Sequence, residues 1–150
     1  MTRTNAVGQV SPVFTMDIER GKIREFARAT GAKHAAYLDA ERPVVPPTFL
    51  ATQAFWQPEE AEPWVLAGLD TSKGLHAEQE YVFYGPPPRA SARLTCQTSI
   101  SESFQKQRQQ DGAELIFVVA VTTFHDEQGR LVAQARATAV EVHPDQGNTA

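Results

Sequence analysis

Three long runs, Arg93–Gln105, Glu114–His125 and Leu131–Val142, follow one another with little but turn signals between them. Connections this short can join only antiparallel neighbours, because a parallel crossover needs a dozen or more residues. In the first run Leu94, Cys96, Thr98 and Ile100 fall on one face at period two. The second is apolar on both faces, as a central strand is, and the third alternates again. Asp111-Gly112 is a hairpin signal, Lys106–Gln110 reads as an exposed hairpin tip, and Asp126–Gly129 makes the next turn. A shorter alternating run, Gln79–Tyr84, precedes them and stops at Gly85-Pro-Pro-Pro88. The second half is therefore expected to be an antiparallel sheet of four strands.

The first half reads differently. Residues 1–16 look like an irregular lead-in broken by Gly8 and Pro12. Over Asp17–Gly31, Ile23, Phe26, Ala27 and Thr30 recur at helical spacing, with Asp17 as N-cap and Gly31 at the left-handed closing position. Residues 32–47 are irregular and end in Pro43-Val-Val-Pro-Pro47. A second, short helix over Thr48–Trp56 carries apolar residues on nearly every side, so it is expected to be wrapped by other elements. Residues 57–78 read as loop and 144–150 as a frayed tail. Helices segregated from an antiparallel sheet make an α+β domain. One apolar helix beside a long curved sheet resembles the hotdog arrangement, over about residues 12–142.

Composition narrows the function classes. The chain has 150 residues, 41% of them hydrophobic, enough for one domain with a real core. A net charge of -4 without any basic stripe argues against nucleic acid. No stretch approaches a membrane span, and Met1–Ala6 lacks the apolar core of a secretory signal. The lone Cys96 excludes an internal disulfide and reads as a small core residue. A cytoplasmic protein is expected.

Gly21-Lys-Ile-Arg-Glu-Phe-Ala-Arg-Ala-Thr-Gly31, Pro46-Pro-Thr-Phe-Leu50, Leu75-His-Ala-Glu-Gln-Glu80 and the Tyr84-Gly-Pro-Pro-Pro-Arg stretch resemble, in order and spacing, the MaoC-like dehydratase family. The nearest likeness is to its N-terminal-half type and to the pocket-shaping subunit of two-chain (3R)-hydroxyacyl-ACP dehydratases. The resemblance implies a hotdog fold that hydrates enoyl thioesters, or dehydrates 3-hydroxyacyl thioesters, on CoA or acyl carrier protein. It implies no metal and no redox cofactor. In that family an Asp and a His, in a Gly-Asp-x-Asn-Pro-x-His loop after the first helix, hold and activate a water. Here the loop reads Gly31-Ala-Lys-His-Ala-Ala-Tyr37, with Ala32 at the Asp position and Tyr37 at the His position. A methyl group cannot bind water as a carboxylate does, and a phenol with a pKa near 10 is a poor base. The expectation is an acyl-binding subunit whose catalytic pair comes from a partner hotdog chain, its sheet continuing across the interface. Alternatives are a self-sufficient homodimeric hydratase using displaced groups, or a non-catalytic acyl-thioester binding module. A thioesterase is weaker, because Thr48–Gln53 holds no carboxylate.

The candidate catalytic residues are His34, Asp39 and His76. His34 and Asp39 form either a displaced acid–base pair or a solvated histidine with a capping aspartate. His76 either orders the mouth of the pocket or anchors a strand edge. Pro47, Thr48 and Phe49 either meet the thioester end, with the backbone N–H groups of Thr48 and Phe49 as oxyanion donors, or form a helix start that simply fixes how the helix enters the sheet. Phe49, Phe55, Trp56 and Trp64 either line an acyl tunnel or are plain core. Arg89, with Arg93, either meets a CoA or carrier phosphate or is simply solvated.

Overall fold

The computed structural model describes residues 6–145. Its centre is a five-stranded, wholly antiparallel sheet in the order β1-β3-β4-β5-β2. The strands are β1 (Phe14–Asp17), β2 (Gly74–Phe83), β3 (Arg93–Gln107), β4 (Glu114–His125) and β5 (Leu131–His143). The three long strands are the meander expected above, and β4 is indeed central. The helices are α1 (Arg20–Ala29), α2 (Ala35–Leu38) and α3 (Pro63–Ala67), with a 3₁₀ helix over Phe49–Phe55.

One face of the sheet carries Leu94, Cys96, Phe124 and Ala133, and the helices cover it. Met16, Ile18 and Ile23 join Phe49 and Leu50 of the 3₁₀ helix there in one buried cluster. This is an α+β hotdog fold, a curved sheet folded over a short apolar helix.

Four local expectations are corrected. Asp17 does not cap a helix. It ends β1 opposite Arg93, whose guanidinium donates to it at 2.7 and 3.4 Å, so α1 starts at Arg20 without a side-chain cap. Residues 14–16, expected within an irregular lead-in, form the edge strand β1 together with Asp17. The second helix is wound as 3₁₀ and is not wrapped all round: Phe49, Leu50 and Thr52 are buried, while Phe55 is 78% exposed beneath the ammonium of Lys22. Residues 57–78 are not simply loop, since they hold α3 and the first half of β2, which begins at Gly74. Most of the expected tail, 146–150, lies outside the described residues.

The close of α1 follows the sequence. Gly31 has φ +73°, its N–H donates to Arg28, and the Ala32 N–H reaches back to Ala27 at 2.8 Å. This is the Schellman cap that a glycine in that place supports. Ser91 is the one non-glycine at positive φ among the described residues, +73°, in the turn where the Ala92 N–H donates to Arg89. A left-handed serine carries strain that glycine lacks, so Ser91→Gly is expected to stabilise the fold by about 1 kcal/mol. The shift in urea midpoint measures this. A variant no more stable than the parent would show that the turn compensates elsewhere.

Candidate functional site

Four alanines, Ala133, Ala135, Ala137 and Ala139, fall at every second position of β5. Methyl groups cannot fill the space under a helix, and where the helix layer pulls away a void remains. A cavity of about 250 Å³ lies there, floored by Ala120 and Thr122 of β4 and by Ala135 and Ala137. Ala51, Gln53 and Ala54 of the 3₁₀ helix, with Gln57 just beyond it, form one wall. His76, Gln79 and Tyr81 of the edge strand β2 form the opposite one, and Glu62, Pro63 and Trp64 close one end.

Several of its polar groups are tied to one another and to the scaffold. Gln53 Nε2 donates to Thr122 Oγ1 at 3.2 Å, and that hydroxyl shares a 2.8 Å bond with Thr98. The Glu62 carboxylate accepts from the N–H groups of Trp64 and Val65 at 2.9 and 2.8 Å, capping α3, the helix that carries Trp64. That ring meets His76 edge to face, centroids 6.2 Å apart. Burial raises the pKa of Tyr81, which keeps its phenol protonated and a donor. A buried carboxylate lies opposite Gly74, the first residue of β2. Glu141 Oε2 accepts the Asp70 N–H at 3.0 Å, and its Oε1 lies 2.7 Å from His143 Nε2. The arrangement can hold a short, mostly apolar group with polar contacts at one side, and it holds no aspartate–histidine pair.

Of the residues singled out from the sequence, His76 and Trp64 line this cavity. His34 caps α2, its Nδ1 accepting the Ala36 N–H at 3.1 Å; Asp39 ends the same helix, both are exposed, and neither lines the cavity. Tyr37 packs against the main core and Ala32 belongs to the Schellman cap. Pro47 and Thr48 are exposed at the start of the 3₁₀ helix. The Phe49 N–H is not available to an oxyanion, because it donates to the Pro46 carbonyl at 3.0 Å, and the ring of Phe49 is core. Trp56 also packs on that core, whereas Phe55 faces outward. Arg89 donates to the Arg42 carbonyl at 3.1 Å, and Arg93 is held by Asp17. Sequence reasoning misses Gln53, Gln79, Tyr81 and the alanine floor. Alanine carries no chemical signal, and the polar three are recognisable only once β2 and the 3₁₀ helix face each other.

Cys96 is fully buried and burial pushes its thiol up to about 12. Only a thiolate attacks a disulfide reagent. The folded chain is expected to leave such a reagent unreacted at pH 8 and to react once unfolded in guanidinium. Fast labelling of the folded chain would show that the site opens.

The chain matches the family described as "FAS1-like, dehydratase domain region" over residues 5–135. It is 32% identical over 132 residues to a UPF0336 protein of Streptomyces griseus, covering 83% of each chain. Its fold is similar to a chain of the HadBC (3R-hydroxyacyl-ACP dehydratase) complex of Mycobacterium tuberculosis, with TM-score 0.67, 22% identity and coverage of 91% and 98%. It is likewise similar to a chain of the ChsH1-ChsH2 complex of the same organism, with TM-score 0.67, 13% identity and coverage of 97% and 90%.

Proposed function

The chain belongs to the family of FAS1-like dehydratase domain regions, and from that premise we propose that it is the acyl-binding subunit of an (R)-specific enoyl thioester hydratase. In this reading the acyl group of a CoA or carrier-protein thioester enters the cavity between the 3₁₀ helix and the sheet. A second hotdog chain supplies the Asp and His that act on water. The observation that carries the reading is the placement of this cavity against β2. That strand ends the sheet, so one wall of the cavity is also an edge able to accept a partner. The Schellman cap at Ala32 and the packed ring of Tyr37 support it too, because the loop that would hold the catalytic pair is used for structure. Two similar folds come from complexes named for two components, HadBC and ChsH1-ChsH2. That likeness supports a heteromeric assembly here.

The test follows the loss of enoyl absorbance with crotonyl-CoA. The chain alone is expected to bind the thioester without turnover. Turnover is expected when a hotdog chain with an intact Asp-x-Asn-Pro-x-His loop is added, at a rate above that of the added chain by itself. A mixture no faster than the partner alone overturns the reading.

A second reading keeps the chemistry in this chain, and the contact of His76 with Trp64 inside the cavity favours it. Turnover by the isolated chain, lost in His76→Ala with the fold intact, would establish it.

A further inference from the structure

The outer face of the β2 edge is acidic in a way that the strand register makes consequential. Glu78 pairs with Thr138 and Glu80 with Arg136, and both carboxylates are exposed on that face. The cation opposite Glu80 is Arg136, whose Nη2 already donates to Glu102 at 2.6 Å. The Glu102 hydrogen bond, against the opposing effect of burial, raises the pKa of this guanidinium, and the charges of Glu80 and Glu78 add to the rise. Three carboxylates thus share one guanidinium, and the seam along the free edge is left net negative.

Resting on the reading that β2 accepts a second hotdog chain, we propose that this edge is charge-coded to select a non-identical partner. That partner presents Lys or Arg on the outer face of its own edge strand, and a second copy of this chain is disfavoured. The argument is geometric. Residues directly opposite in an antiparallel pair point to the same face. Past the bulge between His76 and Glu78 the outward positions of β2 are 78, 80 and 82. Every antiparallel register of two copies centred at residue 78, 79 or 80 therefore sets at least one glutamate directly opposite a glutamate of the other copy. Like charges in that position destabilise the pair, and a basic residue there does the reverse.

The test is sedimentation equilibrium of the full chain. The parent is expected to self-associate weakly, and more tightly as salt is raised from about 0.05 to 0.5 M, because screening weakens repulsion. Glu78→Gln/Glu80→Gln is expected to tighten self-association about tenfold and to remove the salt dependence. Glu78→Lys/Glu80→Lys, mixed with the parent, is expected to give a mixed dimer tighter than either homodimer and weakened by salt. A tight parent dimer indifferent to salt and to the glutamine changes overturns the proposal. So does a mixture that stays monomeric. Circular dichroism of each variant confirms that these exposed changes leave the fold in place. No thioester enters these measurements, so charge-selective pairing in a chain that binds no crotonyl-CoA would sink the acyl-binding reading and leave this one standing.

Discussion

Phe49→Ala is expected to destabilise the fold by about 3–5 kcal/mol, the usual loss for truncating a buried phenylalanine. Phe49 is 1% exposed and belongs to the cluster of Met16, Ile18, Ile23 and Phe124. Its ring also meets Phe26 edge to face at 5.5 Å. Few other groups can take over its role, because Ala51, Ala54 and Phe55 of the same helix are exposed. The helix is thus fastened to the sheet chiefly by Phe49 and Leu50. Against a total stability of about 5–15 kcal/mol such a loss is large. Urea denaturation measures it directly. A loss below about 1 kcal/mol would mean that the 3₁₀ helix rests on the sheet without anchoring the core.

The second large effect is expected at the cavity floor. Ala137 lies in β5 opposite Gln79 on one side and Ala120 on the other, and it faces the void. Ala137→Phe places a ring into space that no side chain occupies, so the fold is expected to survive with its melting temperature nearly unchanged. Thioester turnover by the proposed two-chain assembly is expected to fall about 100-fold, equivalent to about 2.7 kcal/mol at the transition state. Binding of crotonyl-CoA to the chain alone should weaken in parallel. Unchanged binding and turnover would place the acyl group elsewhere. A cleft of about 470 Å³, beside Arg42, Ser91 and Arg130, would then be the next place to block.

How much of this is legible depends on how each residue bears its burden. β3, β4 and β5 are long and half-buried or fully buried, so their alternation registers in the sequence. The Schellman glycine at 31 is legible for a similar reason, since local backbone geometry demands it. β1 is not, because four residues give no period and Asp17 carries a helix-cap identity that only its distant partner Arg93 overrides. The first half of β2 is hidden by its polarity. His76, Glu78 and Gln79 sit on an exposed edge, where no buried face imposes alternation. The fold is therefore readable wherever burial writes a pattern. The cavity is readable only in His76 and Trp64, since its other walls are mostly alanines and glutamines brought together by the tertiary fold.

The strand order also governs what the ribosome releases before the domain can close. β2 is complete at Phe83, yet its only neighbour in the sheet is β5, whose pairing runs from Ala133 opposite Phe83 to Glu141 opposite Gly74. During synthesis β3 and β4 can join as a hairpin while β2 waits, its backbone groups unpaired on both sides. The last strand made is also the one that inserts between two earlier ones. A chain stopped before Leu131 keeps the β3–β4 hairpin but leaves β2 without a seat, and with it one whole wall of the cavity.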